Sequence, residues 1–388
     1  MIERLHLQGL LSFGRQAEPI ELGPLNVLVG PNGSGKSNFV EALSLLAAAP
    51  TRGRVAELLR RGGGAEAWMH AAAPGDALLT VHFAQLGRHA GVRHALRITP
   101  RATLPGVLDV LIDAQWGASG GTPRLVHYRT DPDRARGMVR SGGQEREIEP
   151  PELSLADSIL TQLRDREAYP VLTSLSEFYE QIRYYRDWTF GPSATLRRTQ
   201  PTDMPGDFLL PDASNLAMVF NELRLKPATK RRIVEMLGRL GQQFDDYETV
   251  VAGGTIQLFL REGDRLFPAV RLSDGTLRYL ALLAVLLHPS PPPLVVIEEP
   301  ELGLHPDLMP TLAELLIDAS TRTQVVTTTH SDLLVDALSE HPEALLVFDR
   351  DEDGTQVRRL NAEEMKPWLE KFSLGRLWRM GEIGGNRW

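Results

Sequence analysis

The sequence predicts an α/β fold in two lobes, with an antiparallel β subdomain attached to the first lobe and a helical insertion between the two. Three observations predict it. An apolar run at 25–29 feeds directly into Gly30-Pro31-Asn32-Gly33-Ser34-Gly35-Lys36-Ser37-Asn38 and then into a helix-periodic stretch, the strand–loop–helix setting of a phosphate-binding loop. Two later strand-like runs, the apolar 294–297 and the Val- and Thr-rich 324–329, each end at ionisable residues, the pattern of a buried strand that delivers side chains to one edge. Between these landmarks the residue period changes from two, over 78–130, to three or four, over about 150–240.

Residues 2–8 and about 18–29 read as strands joined through a turn at Ser12-Phe13-Gly14. In the loop, Gly33 and Gly35 permit the backbone shapes that turn successive N–H groups inward, and the helix starting near Lys36 adds its positive end. Lys36 is placed to reach the β- and γ-phosphates of a triphosphate, and Ser37 to offer a hydroxyl to Mg²⁺. The helix carries Phe39, Val40, Ala42, Leu43, Leu45 and Leu46 on a face broad enough for a sheet and ends near Pro50. A short helix at 55–61 follows, then strands at 78–84, 92–99, 107–114 and 125–130. Helices are expected at 152–164, 173–181, 214–223 and 228–240, with an irregular loop over 191–211. Strands return at 247–251 and 255–260. The segments so defined are 1–149, the helical insertion 150–244, the second lobe 245–350 and a C-terminal part 351–388.

Bulk properties narrow the class. A chain of 388 residues has room for two or three domains, or for one large nucleotide-binding domain with an insertion. The absence of cysteine excludes disulfides and thiolate chemistry. The N-terminus alternates like a strand and lacks a signal-peptide core, and the apolar stretch 279–287 is far short of the roughly 20 residues a bilayer span needs, so a cytoplasmic protein without a membrane partner is expected. A net charge of −8 confines any DNA contact to local patches.

The second lobe holds three motifs. Leu294-Val295-Val296-Ile297 runs into Glu298-Glu299-Pro300-Glu301, where Glu298 is suited to Mg²⁺ and Glu299 to polarising the attacking water as general base. Ser273-Asp274-Gly275 stands at the start of the apolar helix 277–287, where a serine N-cap alone would also explain it, but where a γ-phosphate would sit well. Gln324-Val325-Val326-Thr327-Thr328-Thr329 delivers His330 at a strand end.

In this order the motifs resemble the ABC-type ATPase heads of the SMC, RecF and OLD group, over about 1–130 and 245–350. Within that group the chain looks most like compact OLD-like predicted ATPases without a Toprim domain, down to Leu10-Leu11-Ser12-Phe13 before the loop. The resemblance implies a P-loop NTPase of ABC-ATPase head type, ATP and Mg²⁺ as ligands, and ATP hydrolysis. It makes Gly30, Asn32 to Asn38, Ser273, Asp274 and Gly275 nucleotide contacts, Ser37 and Glu298 the metal side, and Glu299 and His330 the catalytic pair. It further implies a homodimer in which each copy's Ser273 and Gly275 complete the other's loop, with Leu302-Gly303-Leu304-His305-Pro306 meeting its own copy. The expected role is an ATP-gated switch or clamp on DNA or on an effector such as a nuclease, in DNA repair or phage defence. With no room for a Toprim domain after the second lobe, a nuclease would come from a partner chain.

Two features depart from the pattern: Glu298 stands where an aspartate is usual, and the lobe-joining glutamine is not placed, with Gln85, Gln181 and Gln200 as candidates. Phe13 is the candidate to stack on adenine. The rival readings are a transporter's nucleotide-binding subunit, disfavoured by Ser273-Asp274-Gly275-Thr276 and by Glu298, and a nucleotide-gated binding module with little hydrolysis. The basic residues Arg224, Lys226, Lys230, Arg231 and Arg232, and the pair Arg197-Arg198, read either as solvated faces or as grips on a phosphate backbone. Asp349 to Gly354 begins like a calcium loop but lacks its closing glutamate, so a hairpin turn is expected; the tail 374–388 reads as a docking segment.

Overall fold

The buried strand Leu25–Val29, all five residues of it inaccessible, pairs in parallel with Leu345–Asp351, far along the chain, with Val27 opposite Leu345. The computed structural model describes residues 1–72, 75–100, 106–115, 124–131, 136–149, 157–186, 188–240 and 244–385. It divides into two units, 1–182 with 345–360 and 383–388, and 183–344 with 361–382. The stretch 150–244 is therefore shared between the units at 182/183.

In the first unit an eight-stranded sheet runs in the order Ile20–Glu21, Ile2–Gln8, Ala77–Leu86, His89–Thr99, Gly106–Gln115, Arg124–Asp131, Arg136–Ser141, Gln144–Ile148. Its neighbours are antiparallel throughout. The last hairpin has no counterpart in the sequence reading, because Gln144–Ile148 carries exposed polar residues up to its final Ile148. The Gly142-Gly143 pair, both at positive φ, was its available signal. The helix Lys36–Ala48 buries Phe39, Val40, Ala42, Leu43, Leu45 and Leu46, with Phe39 edge-on to Phe348 at 5.8 Å. Leu345–Asp351 turns antiparallel into Gly354–Arg359, and Asp351 Oδ1 accepts from the N–H groups of Asp353 and Gly354, so the acidic run is a hairpin turn.

Helix Pro170–Glu180 buries Val171, Leu172, Leu175, Phe178 and Tyr179. The helix expected at 152–164 reduces to Ile159–Gln162 among the described residues, 150–156 lying outside them. A fully buried polar network fixes it: Asp109 accepts from Ser158 Oγ at 3.0 Å and the Ile159 N–H at 2.6 Å, and meets His94 Nε2 at 2.8 Å. His94 Nδ1 is 2.9 Å from the Tyr179 hydroxyl.

In the second unit Arg183–Tyr185, Leu294–Glu298 and Gln324–Thr328 form parallel pairs. The first of these, three residues long, escaped the sequence reading because so short a run has no measurable period. Helix Asp274–Leu286 buries every residue from Thr276 onward, which is why its pattern is apolar on all sides. Helices Leu216–Arg224 and Pro227–Leu237 accompany an antiparallel sheet of Asp246–Ala252, Thr255–Glu262, Gln200–Pro201 and Arg265–Pro268. The tail packs on its own chain: Leu374–Met380 lies against Asp332–Asp336, with Leu374, Leu377 and Trp378 buried and the Leu374 N–H donating to Ser339 Oγ. Its last three residues, 386–388, lie outside the described ones. Among the described residues no helix is long and apolar enough to cross a membrane.

Removing one member of a buried charged network strands the others without water. Asp109→Ala is expected to cost about 3–5 kcal/mol of unfolding free energy, measured by urea denaturation, whereas Ser158→Ala should cost about 1 kcal/mol.

Candidate functional site

The phosphate loop is shaped by close approaches that only glycine allows. A Cβ on Gly30 would lie 2.3 Å from the Phe348 carbonyl oxygen, and one on Gly35 would lie 2.2 Å from Thr355 Oγ1. Thr355 forms the floor, its hydroxyl 2.7 Å from Ser12 Oγ and 2.8 Å from the Ser34 carbonyl. Lys36, buried, donates its ammonium to the carbonyls of Gly30 at 2.6 Å and Pro31 at 2.9 Å, so it curls over the loop. Asn32, Gly33 and Ser37 are exposed, Asn38 half-buried, and Ser34, Gly35 and Lys36 buried. No side chain caps the Lys36–Ala48 helix. Ser34 Oγ is buried and has no hydrogen-bond partner among the described residues. A compact cation, an orphaned hydroxyl and an uncapped helix start together form an anion site that fits a polyphosphate.

Phe13 is 1% exposed, so the adenine-stacking role expected of it fails: the ring is core. The glutamine candidates are each held locally. Gln85 bonds the Gly87 carbonyl at a hairpin, Gln181 bonds the Glu177 carbonyl, and buried Gln200 accepts from the Ala217 N–H.

The second unit brings Glu298, Glu299, Glu301 and His330 together at the ends of two paired strands, Glu298 opposite Thr328. Glu298 is largely buried and 2.9 Å from Arg186 Nε. Glu299 has φ of +45°, the left-handed region, directly before Pro300, which is a strained place for a side chain. Its N–H donates to the Thr328 carbonyl and hydroxyl at 3.2 and 3.1 Å, and its carbonyl accepts from Arg278 Nη2 at 2.8 Å. The guanidinium of Arg278 lies over the rings of Trp188 and Phe190 at 5.7 and 5.4 Å. Burial lowers the Arg278 pKa, opposed by the charges of Glu301 and Glu299. Glu299 Oε1 stands 3.8 Å from His330 Nε2, both side chains about two-fifths exposed.

Ser273 and Asp274 are exposed at the tip of their helix. Ser273 Oγ accepts from the Thr276 N–H at 3.1 Å, the capping bond of a helix start. Asp274 is gripped by Arg197, only 8% exposed, and by the Gly191 N–H at 2.9 Å. The Arg197 hydrogen bond, with that N–H behind it, holds the Asp274 carboxyl below the usual carboxylate range. Arg197 also donates to the carbonyls of Val270 and Leu272. It is a brace for this helix tip, not a phosphate grip. A Cβ on Gly275 would come 2.6 Å from the Gly303 carbonyl, so the loop after the carboxylates lies hard against the tip. In the other basic cluster Lys230 pairs with Asp246, Arg232 with Glu235 and Glu314, and Arg224 with Asn221, while Lys226 and Arg231 are exposed. Arg186, Arg278, Thr328 and Thr329 were not singled out by the sequence, and nothing short-range marks them; Glu301 was visible beside its neighbours but without a role.

A phosphate loop at a buried strand, a second set of strands ending in paired carboxylates and a histidine, and a serine-capped helix tip define a P-loop ATPase of ABC and SMC-head type. The chain belongs to the family described as "AAA domain, putative AbiEii toxin, Type IV TA system", whose model matches residues 25–70 and 139–336, well over half of it. Among solved structures it is similar to an SMC head bound to the C-winged helix domain of ScpA, at 14% identity and a TM-score of 0.57, over 94% of this chain and 99% of that one. An SMC head with an extended coiled coil bound to the C-terminal domain of ScpA, from Pyrococcus furiosus, gives 14% and 0.57 over 95% and 98%. One from Pyrococcus yayanosii, with a coiled coil and joint, gives 12% and 0.50 over 95% and 99%. At such identities the likeness is one of fold. No curated protein matches the chain significantly.

Strain at Glu299 has a thermodynamic signature. Asparagine tolerates left-handed backbone better than glutamate, so Glu299→Asn is expected to raise the thermal midpoint, by about 0.5–1 kcal/mol of recovered strain. Calorimetry of the two proteins checks this; a lower midpoint would mean the φ of Glu299 is not held against its preference.

Proposed function

We propose that the chain binds ATP with Mg²⁺ at the phosphate loop and hydrolyses it, closing as a homodimer that switches an effector protein or a DNA-bound assembly in DNA repair or phage defence in the cytoplasm. The observation that carries hydrolysis is the braced, left-handed Glu299 with its carboxylate 3.8 Å from His330, next to Glu298 at the end of a buried strand. A binding module has no need of a strained carboxylate. In this reading Lys36 and the helix start hold the β- and γ-phosphates, Glu299 takes the proton of the attacking water, and His330 hydrogen-bonds the γ-phosphate side.

Ser37, exposed in the first helical turn, and Glu298 would hold Mg²⁺, which would supply charge neutralisation for the phosphate groups. Among the described residues no group of three or more His, Cys, Asp or Glu is arranged to hold a metal ion by itself; in this reading most of the ligands of Mg²⁺ would come from phosphate and water. The exposed Ser273–Asp274 tip, held rigid by Arg197 yet turned outward, supports its use on another copy's nucleotide. The likeness in fold to SMC heads solved bound to domains of ScpA supports a protein partner.

Steady-state hydrolysis and light scattering test the reading. Glu299→Gln should lower kcat by about 10²-fold or more and, with ATP and Mg²⁺, should accumulate as a dimer. Ser273→Arg should abolish both the dimer and turnover. Turnover that survives Ser273→Arg in a protein that stays monomeric with ATP would overturn the shared-site reading. Capture of partners on ATP-locked Glu299→Gln then separates a nuclease-like effector from a membrane protein, which would refute the defence role.

A further inference from the structure

We infer that Glu301 is the positioning residue for His330, setting turnover through the histidine's backbone without touching nucleotide; this rests on the hydrolytic reading above. One oxygen does the holding. Glu301 Oε1 accepts from Thr329 Oγ1 at 2.6 Å and from the His330 N–H at 2.9 Å, two charge-assisted bonds onto adjacent residues. Thr329 is fully buried. Its hydroxyl oxygen accepts in turn from the Ser331 N–H at 3.0 Å, and Ser331 Oγ caps the Asp332–Asp336 helix through the Leu334 N–H.

The chain leaves the strand Gln324–Thr328 at this point, so residues 329–331 lack ladder bonds to define their course. The Glu301 carboxylate replaces them. It is carried by the loop that begins at Glu299, whose N–H is fixed to Thr328. Base and histidine are thus stapled at two places: Glu299 to the residue two before His330, and Glu301 to His330 itself. With the backbone so fixed, the 3.8 Å between Glu299 Oε1 and His330 Nε2 is left to side-chain rotation alone.

Glu301 Oε2 is buried and has no hydrogen-bond partner among the described residues, so both holding bonds fall on Oε1. The charge of Arg278, which braces the Glu299 carbonyl, sits in the field of Glu301. Cation and carboxylate therefore support one another while each holds one of the two reacting groups.

Glu301→Ala, Glu301→Gln and Thr329→Val, assayed as the full chain, test this. Glu301→Ala should lower kcat about tenfold or more with the KM for ATP within about twofold, the split of an interaction that matters in the transition state. Amide exchange at 329–331 should quicken about tenfold, with 30–38 unchanged. Glu301→Gln, whose carbonyl still accepts both bonds, should return kcat to within about threefold. Turnover of Glu301→Ala within twofold of the natural chain would overturn the inference. So would exchange that quickens evenly through the second unit, the mark of a structural role. If Glu301→Ala does not fold, Thr329→Val decides: kcat reduced several-fold at constant KM supports the staple, and natural kcat refutes it. A natural chain that does not hydrolyse ATP defeats the proposed function instead, and exchange at 329–331 in Glu301→Ala still decides whether the staple exists.

Discussion

The second unit depends on one peptide: that between Glu299 and Pro300, held in a backbone shape its residues disfavour. A left-handed glutamate before proline costs on the order of 1–3 kcal/mol, and it persists only because its surroundings overdetermine it. Thr328 takes its N–H twice and Arg278 takes its carbonyl. The Arg278 guanidinium is itself held over the rings of Trp188 and Phe190, whose faces offset part of the hydration it loses on burial. The buried parallel strands supply the anchor: Glu298 and Thr328 are register partners, so the strand ends cannot slide relative to one another without breaking the ladder.

The same tightness extends to the serine-capped tip. Arg278 lies one turn beyond Ser273 and Asp274 on a helix that is buried from Thr276 onward, and Gly275 touches the Gly303 carbonyl region of the loop following the carboxylates. Arg197 closes the other side by binding two carbonyls of the lead-in and the Asp274 carboxylate. The exposed tip is therefore joined through one buried helix to the arginine that braces the Glu299 carbonyl. In a dimer of the proposed kind, the group that senses one nucleotide would be mechanically continuous with the group that attacks the other.

How much of this the sequence exposed follows from range. The phosphate loop, its helix, and the strands Leu294–Glu298 and Gln324–Thr328 are written in contiguous residues, and period and glycine spacing suffice to read them. Arg197 was ambiguous because its meaning lies 77 residues away, in Asp274; beside Arg198 it looked like a surface pair. Glu301 stood in plain view after Pro300, yet its partners Thr329 and His330 are 28 and 29 residues on. Phe13 misled for the opposite reason: an aromatic beside a nucleotide loop suggests stacking, but the loop's floor at Ser12 and Thr355 requires a packed core beneath it. The hairpin at 136–148 was hidden by its charges, since Arg140 and Glu145 pair across the strands, where alternation of apolar residues is not needed.

Glu298 remains the residue where this chain leaves the pattern it resembles, and its surroundings say why the longer side chain is tolerable. Its carboxylate reaches Arg186, and the pair is half-open to water: the arginine side chain is 46% exposed and the glutamate 15%. An ion pair so placed is worth about 1 kcal/mol or less, because the arginine keeps much of its hydration. On the proposed reading, a divalent cation beside the nucleotide would offer the same carboxylate twice the charge of Arg186, so Glu298 would exchange one partner for the other at little cost. The extra methylene would let the carboxylate reach either partner without moving the strand beneath it. A glutamate in this position would then alter how such a metal is admitted more than whether it is held.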